Sequence, residues 1–111
     1  MEESLDVLFK EHQEFAKNKF PKSTWDSSLK GLRREIKELE EAKADYYVID
    51  GSENREKLAL EYVDCFAYLI DSMSRAGFTI EELNYFFKKK LEINKNRDWE
   101  LNKDGSYSHV N

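Results

Sequence analysis

LALEYVDCFAYLIDSMSR, residues 58–75, is the stretch whose reading decides the fold. At about 100° per residue, Leu58, Tyr62, Cys65, Phe66, Leu69 and Met73 share one broad face of a helix, and Val63, Ala67 and Ile70 carry apolar surface most of the way round. A helix of this kind is expected inside a bundle. The remaining strip carries Glu61, Asp64, Tyr68, Asp71 and Arg75. Carboxylates are almost never fully buried unless they are paired or bind a metal, so this strip is expected to face something that compensates it.

Working outward toward the N-terminus, a helix is expected from about Trp25 to Ala44, started by the side chains of Ser23, Thr24 and Asp26. Its core stripe reads Leu29, Leu32, Ile36 and Leu39, with Glu35 and Glu38 on the shoulder of that face. DYYVIDGSEN reads as a loop, in which Asp50-Gly51-Ser52 offers a turn and a cap for the central helix. An earlier helix, Leu5 to about Lys19, stops before Phe20-Pro21. Toward the C-terminus, Ala76-Gly77 ends the central helix and Thr79-Ile80-Glu81-Glu82 has the form of a capping box. The helix that follows, about Ile80 to Arg97, is expected to bury Leu83, Phe86, Phe87, Leu91 and Ile93. The tail from about residue 99 is rich in Asn, Gly and Ser and reads as irregular. The expected fold is all-α and four-helix-bundle-like, a single domain over residues 1–111.

Bulk composition narrows the class. A chain of 111 residues holds one core, and 40% hydrophobic with 37% charged residues and a single proline suits a helix-rich globular protein. A net charge of −5 argues against a nucleic-acid duplex as partner, because phosphate neutralisation needs a basic surface. The lone cysteine, Cys65, fits a reducing cytosol and reads as a core thiol. MEESLDVLFKEHQ lacks the regions of a secretory leader and no run is long enough to span a bilayer, so no membrane association and a cytoplasmic location are expected. An apolar surface as wide as that of residues 58–75 is hard to cover in a chain of this size, so a homodimer or homotetramer is expected.

The chemistry lies in paired acids. Glu35 and Glu38 are spaced i,i+3, as are Glu61 and Asp64, so each pair projects from one helix edge and the two edges can face each other. Four converging carboxylates repel one another, which makes sense chiefly around a divalent ion; an all-oxygen set favours magnesium or manganese. Zinc is disfavoured, since His12, His109 and Cys65 show no ligand spacing, and no Glu-x-x-His marks a di-iron site. Lys90, Asn94 and Arg97 follow i,i+4,i+7 spacing, two cations and an amide suited to phosphate oxygens, with Trp99 placed to stack on a base or to anchor packing. A cationic edge beside an acidic metal site suits a nucleoside triphosphate, while ion pairing between the helices accounts for the same residues without any chemistry.

The succession Glu35-x-x-Glu38, Glu61-x-x-Asp64, then Lys90-x-x-x-Asn94-x-x-Arg97-x-Trp99 resembles the MazG-like all-α nucleoside triphosphate pyrophosphohydrolases. The wording LRREIKELEEA, LEYVDCFAYLIDSMSRAGF and KKKLEINKNRDW is most similar to the short, often phage-encoded dATP/dGTP branch. The likeness runs from about Phe20 to Trp99. It implies hydrolysis between the α and β phosphates to a monophosphate and pyrophosphate. It also implies magnesium on the acids matching Glu35, Glu38, Glu61 and Asp64, substrate contacts at Lys90, Asn94 and Arg97, and a bacterial or phage-infected host cytosol. One departure is Arg34, which stands where the broader family's EExxE pattern has a further glutamate. The competing expectation is a non-catalytic helical nucleotide-binding or assembly module.

Overall fold

In a computed structural model of the chain, which describes residues 3–48 and 52–110, four helices are followed by a small hairpin. The elements are α1 (Leu5–Lys19), α2 (Trp25–Val48), α3 (Ser52–Arg75), α4 (Ile80–Lys95), β1 (Trp99–Leu101) and β2 (Tyr107–His109). They form two compact units, residues 1–80 and 81–111. Among the described residues no helix is long and apolar enough to cross a membrane.

Local chemistry sets the helix ends. Ser4 caps α1 by accepting a hydrogen bond from the Val7 amide, and α1 closes where the Phe20 N–H meets the Ala16 carbonyl ahead of Pro21. At the start of α2, Thr24 and Ser27 satisfy each other reciprocally: each side-chain oxygen accepts from the other's backbone N–H, at 3.1 and 2.8 Å. α3 ends in a Schellman motif, with Phe78 N–H on the Met73 carbonyl, Gly77 N–H on that of Ser74, and Gly77 left-handed at φ 97°. The expected loop over DYYVIDGSEN is corrected in part: α2 runs on through Tyr46 to Val48, because good helix formers such as Ala42 and Ala44 carry the helix into a segment whose own preference is weak. The turn expected at Asp50-Gly51 lies outside the described residues.

α3 packs against α2 and α1, but not on the expected faces. Ile36 of the α2 stripe is 42% exposed, while the buried residues of α2 are Ser28, Gly31 and Ala42. On α3 the apolar Tyr62, Val63, Phe66 and Leu69 are about half exposed, at 49, 57, 54 and 48%, while Asp71 and Ser72 are buried. The polar strip of α3 therefore faces inward within the chain, opposite the small residues of α2. Ser28 lies on Asp71 and Gly31 on Tyr68, so steps of three or four along α2 match equal steps back along α3 in an antiparallel pair.

Hydrogen bonds, rather than apolar burial, hold that arrangement. Asp71 Oδ2 accepts from Ser28 Oγ at 2.5 Å and from Arg75 Nε at 2.8 Å. The remaining guanidinium nitrogens of Arg75 donate to the backbone carbonyls of Ser23, Ala16 and Phe20 at 2.8–3.0 Å, and so cap the C-terminus of α1. Ser72 Oγ donates to the Trp25 carbonyl at 2.8 Å.

The second unit departs from expectation twice. α4 stops at Lys95, and Phe86, Phe87, Leu91 and Ile93 are 49, 68, 44 and 40% exposed, because one helix and a short hairpin give that unit no second layer to bury them. The tail is ordered rather than irregular. Trp99 pairs with His109 and Leu101 with Tyr107, antiparallel, around a turn in which the Gly105 N–H meets the Asn102 carbonyl and Gly105 takes φ 91°. Asp104 fixes that turn by accepting from the Ser106 N–H and Oγ. The Asn, Gly and Ser content thus marks a hairpin turn.

Because the Asp71–Arg75 pair is only about 10% exposed, Arg75→Met is expected to leave a buried carboxylate, two α1-end carbonyls and the Ser23 carbonyl short of donors. The expected loss is about 3 kcal/mol in urea unfolding. Unchanged stability would contradict this role.

Candidate functional site

The antiparallel register that sets Ser28 on Asp71 continues two turns along both helices to Glu35, Glu38, Glu61 and Asp64. One carboxylate oxygen each from Glu35, Glu38 and Glu61 lies within 4.8 Å of the other two. Glu35 and Glu61 are half-buried, Glu38 is exposed, and Glu35 Oε2 and Glu61 Oε2 are buried atoms with no hydrogen-bond partner. Among the described residues no lysine or arginine is ion-paired to any of the four acids; Lys30 pairs with Asp26, Arg75 with Asp71 and Lys95 with Glu92 instead.

Asp64 stands slightly apart. It is exposed and lines a cavity of about 450 Å³ bounded by residues of α1, α2 and α3, among them His12, Ser28, Arg34, Tyr68 and Asp71. Its charge still reaches the trio. Burial, then a hydrogen bond with Glu38, then the charges of Glu38, Asp64 and Glu61 push the Glu35 carboxyl up to about 7. The same burial and acids raise the Cys65 thiol, so this half-buried cysteine is a poor nucleophile. An orphaned, all-oxygen, acidic donor set fits a hard divalent cation.

The other sequence-predicted residues belong to the second unit. Lys90 is exposed. Asn94 is half-buried, and its side-chain Oδ1 is buried without a partner while its backbone carbonyl accepts from Trp99 Nε1 at 3.0 Å. Arg97 lies beyond the end of α4, so helical spacing does not place it; its Nη1 sits 3.4 Å from His109 Nδ1 on β2. Trp99 meets the His109 ring edge-on at 5.9 Å, which makes it a packing anchor of the hairpin. Apolar-stripe reasoning missed Ser28 and Gly31. Their signal was available: small residues at the three-four spacing that continues into Glu35 and Glu38.

A sequence profile described as dATP/dGTP pyrophosphohydrolase matches residues 8–110, nearly the whole chain and all eight candidate residues. The chain therefore belongs to the dATP/dGTP pyrophosphohydrolase family, within the nucleoside triphosphate pyrophosphohydrolase class of enzymes. The fold is similar to that of a solved structure, a cyanophage S-2L MazG-like pyrophosphohydrolase bound to dGDP and three catalytic Mn2+ ions per active site. That likeness has a TM-score of 0.70 at 20% identity and covers 99% of this chain and 100% of the other. Comparison with curated proteins gives no match.

The raised Glu35 carboxyl has a pH signature. Unfolded, it loses its proton near 4.5; folded and metal-free, it keeps it to about 7, so within that window the folded chain binds the extra proton. Stability from this group is therefore expected to rise as pH falls from about 7 toward 4.5. In chelator-treated protein, Glu35→Gln is expected to flatten that part of the melting profile; an unchanged profile would contradict the assignment.

Proposed function

We propose that this enzyme hydrolyses a deoxynucleoside triphosphate, dATP or dGTP, to the monophosphate and pyrophosphate, using Mg2+ or Mn2+ held by Glu35, Glu38, Glu61 and Asp64. The observation that carries the proposal is the convergence of three glutamates with two buried, unpartnered oxygens and, among the described residues, no lysine or arginine ion-paired to them. It also weighs against a non-catalytic assembly module, in which these acids would be paired to lysines or arginines of neighbouring helices. A divalent ion held by these acids would supply charge to offset the phosphates and would lower the pKa of a water that could attack phosphorus. The protein's part is to hold the acids in place. Glu35, whose carboxyl is pushed up to about 7 in the metal-free chain, gives up its proton on loading. The open position of Asp64 on the cavity leaves its carboxylate accessible to substrate and water.

Substrate contacts by Lys90, Asn94, Arg97 and Trp99 are part of the proposal. They rest on the sequence pattern and on the buried, unpartnered Asn94 Oδ1. The chain is proposed to work as one domain, in the cytosol, without nucleic-acid or membrane partners. The outward row Tyr62, Val63, Phe66 and Leu69 supports a homodimer or homotetramer, since only Ala16, Ala42, Ile70 and Ile80 are buried among the apolar residues described.

With Mg2+ or Mn2+, a panel of deoxynucleoside triphosphates is expected to yield pyrophosphate and monophosphate, with dATP and dGTP turned over fastest. Glu61→Gln is expected to lower kcat/KM at least about a hundredfold. Release of inorganic phosphate instead, or no turnover on any triphosphate, would refute the reading. Light scattering is expected to give at least double the 13.2 kDa chain mass, and Phe66→Asp to lower it; a stable wild-type monomer would refute the oligomer.

A further inference from the structure

Arg34 immediately precedes Glu35 on α2, and its side chain lines the same 450 Å³ cavity as Asp64 and Tyr68. Arg34 and Arg75 are used differently. Arg75 spends its nitrogens on Asp71 and on three backbone carbonyls, whereas Arg34 reaches only the Tyr68 hydroxyl, at 3.5 Å, the outer limit of a hydrogen bond. Among the described ion pairs none joins Arg34 to a carboxylate, although Glu35 follows it in sequence and Asp64 shares its cavity. An exposed guanidinium on a cavity wall, with its planar fork of donors uncommitted, is complementary to a phosphate.

Tyr68 is built into place beside it. Gly31 is buried in the interior of α2, where glycine costs about 1 kcal/mol relative to alanine, and a Cβ there would overlap the Tyr68 ring. The ring is thus seated in a notch of α2, with its hydroxyl at Arg34, one turn further along.

We infer that Arg34 binds a phosphate oxygen of the triphosphate, and that Tyr68, seated on Gly31, is its positioning residue. This rests on the triphosphate reading above. It matches the arginine on the cavity lining to the charge that a divalent ion on the acids leaves uncancelled.

The test is equilibrium binding of a non-hydrolysable deoxynucleoside triphosphate analogue with Mg2+, run beside Mn2+ binding alone, on the wild-type chain and on Arg34→Gln, Arg34→Lys and Tyr68→Phe. Arg34→Gln is expected to weaken analogue binding about tenfold or more, leave Mn2+ affinity no weaker and leave melting unchanged. Arg34→Lys is expected to restore part of the loss. Tyr68→Phe keeps the ring in its notch and is expected to cost about threefold alone, with no further effect in the Arg34→Gln background. Wild-type-like analogue binding by Arg34→Gln, or equal loss of Mn2+ binding, would overturn this inference and leave the triphosphate reading standing. Failure of the wild-type chain to bind the analogue at all would overturn that reading, and this one with it.

Discussion

The buried guanidinium of Arg75 joins three segments of the first unit at one point. It pairs with Asp71, which accepts from Ser28 at the start of α2, and it donates to the carbonyls that end α1 and lead into α2. A charge this deep is tolerable only when every group around it is hydrogen-bonded, so few relative placements of α1, α2 and α3 satisfy it. Apolar contacts are forgiving by comparison; a small rotation about a helix axis exchanges one leucine for another at little cost. The network thereby sets the register of the α2–α3 pair. Two to three turns away that register brings Glu35 and Glu38 against Glu61, with Asp64 near enough for its charge to be felt. The same α2–α3 pairing thus carries the carboxylate cluster and, further along it, the Asp71–Arg75 pair.

Element order and most boundaries were legible in the sequence, because caps and breakers act locally: Ser4, Thr24, Pro21 and Gly77 stand where helices begin or end. The pairing of acidic helix edges was legible too, since i,i+3 spacing is a property of the helix itself. Helix rotation was not. A count of apolar residues turns Ile36 inward on α2 and Phe66 and Leu69 inward on α3, whereas the chain leaves these about half exposed and buries Ser28, Gly31 and Asp71. Small residues let the helices approach, and the inward polar groups satisfy one another; neither effect registers on a hydrophobicity scale. Tyr68, Asp71 and Arg75, which no motif explains, gain their roles only once the two helices face each other. The C-terminal hairpin was missed for a different reason: Asn, Gly and Ser mark both irregular chain and tight turns, and strands of three residues carry little periodicity.

The inward polar seam also explains the exposed surface. With acids, serines and an arginine taking up much of the α2–α3 contact, Tyr62, Val63, Phe66 and Leu69 of α3 remain about half exposed, and the largest fully buried side chain among the described residues is Ile80. A chain built this way keeps little apolar stabilisation for itself and keeps its most apolar face for another copy in the proposed assembly. The chain belongs to the dATP/dGTP pyrophosphohydrolase family, and in the proposed function the chemistry is centred on the acidic seam, where Glu35 Oε2 and Glu61 Oε2 are buried without a hydrogen-bond partner.

The central claim, that the α2–α3 seam is organised to hold a divalent ion on its glutamates, is tested most directly by anomalous diffraction from crystals of the protein grown with Mn2+. Manganese density is expected against the carboxylates of Glu35, Glu38 and Glu61, with Arg75 and Asp71 paired as they are without it. Manganese bound elsewhere, or glutamates turned onto lysines or arginines of neighbouring helices with no ion between them, would contradict it.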